Sequence, residues 1–178
     1  MEFTIEEIIA GPVDAVFTVM RDKLPDLVPF LPEVESIEVL ERHDDGPGKV
    51  RFVNLWQGKA DAAPKVVRPF VTASMLRWKD HAEWDDAARK VAWRLEPFNF
   101  GSLFECKGED VFAAMPDGRT KMMIKGTLNI YPERIPGVPS FLAKRLRPDV
   151  EKFVVNLVTP NLRGVAGGIP RYLASKGA

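Results

Sequence analysis

Alternation of apolar and polar residues along most of the chain predicts a series of β-strands. The first segment, EFTIEEIIA at positions 2–10, has apolar side chains at Phe3, Ile5 and Ile9 with acidic residues between them, which is the two-residue period of a strand. Six later segments have strand patterns, and turn sequences such as Asp-Asp-Gly-Pro-Gly and Pro-Asp-Gly separate several of them. About seven strands joined mostly by short hairpin turns predict an antiparallel meander.

Two short helices are predicted between the first and second strands. Val13, Val16, Phe17 and Met20 fall on one stripe of a helix. The next segment, LPDLVPFLPE, mixes large apolar residues with prolines that prevent a long regular helix. We expect a short, broken helix there, forming a compact elbow that presents apolar side chains to the interior. These inward-facing residues are Leu27, Phe30 and Leu31.

The last third of the chain changes to helical periodicity. Apolar residues recur at helical spacing over residues 140–165, which predicts a long C-terminal helix that Pro160 kinks or breaks. The glycines at 164–168 are expected to loosen the chain, and residues 166–178 are interpreted as a tail. The whole chain, residues 1–178, is predicted to be one domain. The long helix is the only predicted element with enough apolar surface to cover the concave face of a curved antiparallel sheet.

The order of strand, two short helices, six strands and long helix resembles the START/Bet v 1-like (SRPBCC) superfamily over nearly the whole chain. The segment VFTVMRDKLPDLVPFLPEVESIEVLERHDDG is similar to the branch of coenzyme-Q-binding and polyketide cyclase/dehydrase proteins. In that branch a helix, a short apolar connection containing FLP and a long strand follow in the same order. The resemblance implies an α+β helix-grip fold, with a curved antiparallel sheet wrapped around the C-terminal helix. It also implies binding of lipids, quinones, polyketides or other apolar molecules, with catalysis in a minority of members.

Strand alternation predicts which side chains line a cavity between the sheet and the long helix. In the strand at 75–85, Trp78, Asp80 and Trp84 share the inward face, and His81 points outward. An apolar cavity with a few polar groups is the usual form of a small-molecule site. The predicted ligand-binding residues are Phe30, Phe52, Asn54, Trp56, Trp78, Asp80, Trp93, Phe104, Cys106, Met122, Ile124, Phe153 and Leu157.

Each inward polar residue also has a purely structural interpretation. Asn54 is commonly a hydrogen-bond partner of the backbone, and Asp80 is expected either to pair with a lysine or arginine near the rim or to cap a loop. Cys106 is most often a small buried hydrophobic residue. The structural interpretation of Asp110 is a solvated residue at the end of its strand. The tryptophans serve packing more often than ligand stacking, although four of them make an aromatic pocket credible.

The catalytic possibilities are narrow. The single cysteine excludes an internal disulfide and a cysteine-based zinc cluster, and the two histidines, His43 and His81, form no ligand pattern. No metal and no cofactor are therefore expected, and neither a phosphate-binding loop nor a Gly-x-Ser-x-Gly motif occurs. The best catalytic candidate is Asp80 alone, because a carboxylate buried among tryptophans has a raised pKa and can act as a general acid or base.

Three functions follow in order of preference. The first is a non-catalytic carrier or sensor of an apolar small molecule such as a lipid, a quinone or a polyketide-like compound. The second is a cyclase/dehydratase-like enzyme that uses Asp80. The third is a membrane-surface adaptor, in which the basic segment AKRLRPDVEKF contacts anionic lipid. The zero net charge disfavours general nucleic-acid binding, and the acidic N-terminus without a long apolar run favours a cytoplasmic protein.

Overall fold

A computed structural model of the protein describes residues 1–59, 72–98, 104–131 and 166–176, together with positions 134, 145, 148 and 164. The helical elements, in chain order, are α1 (Val13–Asp22), a 3-10 helix at Leu24–Phe30, a second 3-10 helix at Ala73–Leu76, and a C-terminal helical segment at 166–175. The strands are β1 (Glu2–Ile9), β2 (Val34–Gly46), β3 (Lys49–Gly58), β4 (Arg77–Asp85), β5 (Lys90–Pro97), β6 (Phe104–Ala114) and β7 (Thr120–Ile130).

The seven strands form one antiparallel sheet in the order β1-β7-β6-β5-β4-β3-β2. From β2 to β7 every strand pairs with its neighbour in sequence. The turn signals predicted three of these pairs as hairpins: β2 with β3, β4 with β5, and β6 with β7. β1 instead pairs with β7, which local turn patterns did not specify. The sheet therefore confirms the predicted antiparallel meander and adds the first strand at the far edge.

The face of the sheet that packs against α1 is here called the inner face, and the opposite one the outer face. The ring of Phe17 in α1 meets Trp84 and Phe112 edge-on, with centroids 5.1 Å and 5.4 Å away. The residues predicted to face inward lie on this inner face. Phe52 and Ala82, for example, are directly opposite each other in the register, and both pack in the core cluster with α1. His81 lies on the outer face, where its Nε2 is 2.9 Å from a Glu96 carboxylate oxygen.

The proline-containing elbow is the 3-10 helix at Leu24–Phe30, with Pro29 inside it. Leu27 and Leu31 are fully buried in the core, and Phe30 is partly buried against it. Proline fixes its own φ and lacks an N–H, so the segment forms a tight short helix rather than a longer regular one. This confirms the short, broken apolar helix predicted from the sequence.

Glycines at 164 and 168 hold the elbow close to the C-terminal helical segment. A Cβ built on Gly168 would lie 2.6 Å from Phe30 Cβ, and one on Gly164 would lie 2.7 Å from the Phe30 carbonyl oxygen. The Tyr172 hydroxyl also donates a hydrogen bond to Asp26, at 3.0 Å. The expectation of a loosened chain is thus corrected: both glycines are helical, and their missing side chains admit the elbow.

Several sequence predictions fall outside the described residues. These include most of the helix predicted over 140–165, its kink at Pro160, and the candidate ligand residues Phe153 and Leu157. Within that range, positions 145, 148 and 164 are helical. The segment assigned to a tail, 166–178, contains the helix at 166–175.

Replacing Gly168 by alanine is expected to destabilise the protein, because the new methyl group overlaps the Phe30 side chain. Overpacking of this kind costs ~1–3 kcal/mol. Gly167→Ala is the matched control, since a Cβ at this neighbouring helical position meets nothing within 4 Å. That control is expected to be neutral or to stabilise by up to ~1 kcal/mol through helix propensity. Urea unfolding of both variants measures the difference, and equal stabilities would contradict the close packing.

Candidate functional site

A buried amide–carboxyl pair occupies the inner face between β3 and β4. Asn54 and Asp80 are directly opposite each other in the register, so both side chains leave the sheet on the same side. Asn54 Nδ2 donates a hydrogen bond of 3.2 Å to Asp80 Oδ2. Only 4% of Asn54 and 9% of Asp80 are exposed. Asn54 therefore serves a side chain rather than the backbone.

Burial raises the pKa of Asp80 to about 6, because a charged carboxylate loses its hydration in the interior. The hydrogen bond from Asn54 and the nearby indole of Trp56 oppose this shift. Within the described part of the chain, no lysine or arginine pairs with Asp80, so the predicted ion pair at the rim is replaced by the neutral amide of Asn54. The raised pKa agrees with the sequence prediction and has the cause given there.

A second buried carboxyl group lies on β6. Trp93 Nε1 donates a hydrogen bond of 2.8 Å to Asp110 Oδ1. The pKa of Asp110 is raised to about 7, chiefly by burial and in part by the negative charges of Asp80 and Glu109, against the hydrogen bond from Trp93. The interpretation of Asp110 as a solvated strand-end residue is wrong: it is 6% exposed, because β6 continues beyond it to Ala114.

Together, Asn54, Asp80, Trp93 and Asp110 form a line across four adjacent strands, β3 to β6, which is here called the polar strip. The charge of Asp80 also raises the pKa of Asp110, after the larger effect of burial. A pair of this kind holds and releases protons near neutral pH, as general acids and bases do.

Two stacked tryptophans adjoin the polar strip. Trp56 and Trp78 are opposite each other in β3 and β4, with ring centroids 5.8 Å apart and planes inclined by 18°. Trp56 Nε1 is buried and has no hydrogen-bond partner among the described residues. It is close enough to Asp80 to stabilise the carboxylate, although the two groups do not reach hydrogen-bond geometry. A buried donor without an acceptor costs ~1–3 kcal/mol, so an acceptor from outside the chain would be stabilising here.

Two glycines make room for the aromatic rings of Trp93 and Phe3. Gly108 and Gly126 are opposite each other in β6 and β7; a Cβ on the first would lie 2.6 Å from Trp93, and one on the second 2.5 Å from Phe3. The rings of Phe3 and Trp93 stack above this gap at 6.5 Å. Sequence reasoning did not include Phe3 in the site. The signal available was two glycines on inward positions of neighbouring strands, which mark close approach of another group.

The remaining predicted site residues are divided between packing and the site. Phe52, Met122 and Ile124 belong to the core cluster under α1, and Phe30 packs at the elbow. Of these four, Ile124 is directly opposite Asp110 in the register and so adjoins the polar strip. Cys106 is on the inner face opposite Leu95, and burial raises the pKa of its thiol to about 12. Such a thiol is not a nucleophile at neutral pH. Phe104, on the same strand as Cys106, is half-buried.

The outer face carries an open groove of about 590 Å³ that sequence analysis did not predict. Outward side chains of β4 to β7 line it, with Ala92 and Thr127 among charged neighbours such as Arg94, Lys107 and Glu109. Atoms of the Phe3–Trp93 pair also contribute to its lining. The groove presents cations and anions together.

No group of three or more His, Cys, Asp or Glu side chains is placed to hold a metal ion among residues 1–59, 72–98, 104–131 and 166–176. In the described part of the chain, none of the helices is long and apolar enough to cross a bilayer. Of the basic segment that suggested membrane contact, Arg145 is described, and it is helical and exposed. The membrane hypothesis therefore stays a prediction.

The two buried carboxyl groups predict an unusual dependence of stability on pH. Because the pKa values of Asp80 and Asp110 are raised by folding, the folded state holds more protons than the unfolded state between about pH 4 and pH 7. Their contribution to the unfolding free energy is therefore fully present at low pH and is lost as pH rises through this window. Asp110→Asn keeps an acceptor for Trp93 but removes the titration.

We expect the loss of unfolding free energy between pH 4 and pH 8 to be smaller in Asp110→Asn than in the wild type, by on the order of 2–4 kcal/mol. Denaturant unfolding at several pH values measures it. Glu83→Gln is the matched control, because Glu83 is exposed on the outer face of β4, and it should follow the wild-type curve. Equal pH dependence in all three proteins would contradict the assignment.

Comparison with known proteins identifies the fold. No family model and no curated protein matches the sequence. Among solved structures, the chain is similar to TTHA0849 from Thermus thermophilus, with a TM-score of 0.69, 24% identity, and coverage of 97% of this chain and 99% of that one. It is also similar to the Zhui aromatase/cyclase from Streptomyces sp. R1128, with a TM-score of 0.69, 18% identity, and coverage of 97% and 95%.

A START superfamily protein from Mycobacterium smegmatis is similar as well, with a TM-score of 0.58, 12% identity, and coverage of 96% of this chain and 98% of that one. At these identities the likeness establishes the fold. The chain has the α+β helix-grip fold of START/Bet v 1-like proteins, with the seven-stranded antiparallel sheet described above. This confirms the fold that the order of predicted elements implied.

Proposed function

We propose that this protein binds an apolar small molecule on the inner face of the sheet, beside the polar strip. The observation that carries the proposal is the buried indole N–H of Trp56, which lacks an acceptor among the described residues and lies next to the Asn54–Asp80 pair. A ligand oxygen at this point would satisfy the donor. The stacked rings of Trp56 and Trp78 would supply apolar contact area.

The distribution of burial supports the same location. At the α1 end of the inner face, Phe17, Trp84 and Phe112 pack ring against ring and are almost fully buried. At the other end Trp78 and Leu95 are only half-buried. Half-buried aromatic and aliphatic side chains around a few hydrogen-bonding groups are typical of ligand sites. The helix-grip fold is shared with an aromatase/cyclase and a START superfamily protein, and the superfamily resemblance implies binding of apolar molecules.

A pair of tryptophan substitutions on β5 tests the location. Leu95 is opposite Asp80 on the inner face, whereas Ala92 lines the outer groove. We expect Leu95→Trp to weaken binding of the neutral fluorophore N-phenyl-1-naphthylamine by about tenfold or more, a loss of ~1.4 kcal/mol, because the new ring occupies the site. Ala92→Trp should bind like the wild type. Fluorescence titration measures both.

The opposite result, with only Ala92→Trp weakened, would place binding in the outer groove. Absence of binding to the wild type, together with no small molecule in native mass spectra of the purified protein, would refute the proposal. Circular dichroism of each variant controls for folding.

A second function, acid–base catalysis on a bound polyketide-like compound, is favoured by the raised pKa values of Asp80 and Asp110. Near pH 6.5, the carboxylate of Asp80 would remove a proton from a carbon next to a carbonyl group. That carbon would form a bond to a second carbonyl carbon of the same compound, and neutral Asp110 would protonate the resulting alkoxide oxygen. The similarity in fold to the Zhui aromatase/cyclase is consistent with this chemistry. A positioned acid or base contributes about 10²–10⁴-fold to a rate.

We expect Asp80→Asn and Asp110→Asn each to lower turnover of a cyclisable poly-β-ketone by about 10²–10⁴-fold. The wild-type rate should depend on pH as a bell with its maximum between the two pKa values. Product formation followed by chromatography measures both effects, with Glu83→Gln as the matched control. Unchanged turnover in the two aspartate variants would exclude this function and leave the binding proposal intact.

A further inference from the structure

The hydrogen-bonding groups of the inner face narrow the chemical class of the ligand, an inference that rests on the proposed binding function. Trp56 Nε1 offers a donor without an acceptor among the described residues. Asp80 accepts a hydrogen bond from Asn54 through Oδ2, and a carboxyl group has room for more than one donor. A donor and an acceptor thus stand side by side, on neighbouring strands, at the edge of an aromatic stack.

We propose that the ligand is an uncharged, hydroxyl-bearing aromatic compound whose single oxygen is bound by Trp56 and Asp80 together. A hydroxyl oxygen accepts the hydrogen bond from the Trp56 N–H and donates its own proton to the Asp80 carboxyl group. A hydroxyl group therefore satisfies both Trp56 and Asp80 with one oxygen atom. A carbonyl or an ether oxygen cannot do so, because neither carries a hydrogen to donate.

The charges on the inner face select against anionic ligands such as fatty acids. The buried polar residues of the described chain are Asn54, Asp80, Asp110 and Thr120, and none of them is a cation. A carboxylate ligand would be buried near two carboxyl groups, and its charge would be left without a partner there, which is unfavourable. Positively charged side chains lie on the opposite face, where Arg94, Lys107 and Lys125 line the outer groove.

Aromatic character follows from the surroundings of the same two groups. The Trp56 and Trp78 rings are nearly parallel, and the Trp93 ring, which also donates to Asp110, lies one strand beyond Asp80. A flat ring system makes offset stacking contacts with tryptophan that a flexible alkyl chain does not make. The hydroxyl group therefore fixes the orientation of the ligand, and the rings provide the contact area.

Three probes of the same ring system and similar size test this inference by equilibrium dialysis at pH 7: 2-naphthol, 2-methylnaphthalene and 2-naphthoate. We expect 2-naphthol to bind about tenfold more tightly than the methyl compound, as two hydrogen bonds add to the same apolar contact. The naphthoate should bind most weakly. In Trp56→Phe, which retains an aromatic ring but has no N–H, the preference for 2-naphthol over 2-methylnaphthalene should fall to about threefold or less.

Asp80→Asn is the second variant, and it still tests the inference if Trp56→Phe does not fold. It keeps the shape of the side chain but weakens acceptance from a hydroxyl group, so it should reduce affinity for 2-naphthol several-fold and leave 2-methylnaphthalene unchanged. Glu83→Gln, on the outer face of the same strand, should retain the wild-type preference.

The outcomes separate this inference from the proposed function. Equal binding of all three probes, tightest binding of the naphthoate, or an unchanged preference in both Trp56→Phe and Asp80→Asn would overturn the inference while leaving an apolar binding site. Binding of none of the probes would overturn the ligand class, and the proposed function would fall with it only if N-phenyl-1-naphthylamine also failed to bind and native mass spectra showed no small molecule. A preference for 2-naphthol that both variants lose would support the assignment.

Discussion

The register of the antiparallel sheet is the constraint on which the rest of this structure depends. Side chains alternate between faces with a period of two, so a slip of one residue would move Asn54 and Asp80 to the outer face and bring their charged neighbours inward. Short turns join β2 to β3, β4 to β5 and β6 to β7. The register of β3 with β4, of β5 with β6 and of β1 with β7 is held by the strand pairing itself. The hydrogen bond between Asn54 and Asp80 exists because the same register places them opposite each other.

The inner face is divided into two regions with different energetic roles. Under α1, the elbow and the C-terminal helical segment, apolar side chains pack closely, and the glycines that receive Phe30 allow the approach. Burial of apolar surface there stabilises the fold. Along the polar strip, two carboxyl groups are held out of water with one hydrogen bond each from Asn54 and Trp93. That arrangement lowers stability at neutral pH, and such a conflict with good packing is typical of functional sites.

Much of this could be predicted from the sequence because it depends on local period. The alternation around Trp78 and Asp80 indicated their face, and the prolines of the elbow indicated a short helix. What could not be predicted depends on contacts between distant segments. The fit of Phe30 against Gly168 and the missing acceptor of Trp56 are properties of packing, and a one-dimensional pattern does not contain them. From the sequence alone, the glycines at 164–168 therefore predict a loosened chain, which is the commoner effect of glycine.

Asp110 illustrates a different limit and also connects the two proposed functions. Alternation indicated its face, but its burial and its interaction with Asp80 depend on where β6 ends and on the strands between them. Two carboxyl groups whose pKa values burial raises to about 6 and 7 differ in protonation near neutrality, with Asp80 more ionised than Asp110. A binding protein needs only one acceptor for a ligand hydroxyl group, and Asp80 supplies it. The second carboxyl group, held by Trp93, has no role in binding that single oxygen, and it is the feature that favours proton transfer as an additional activity of the same site.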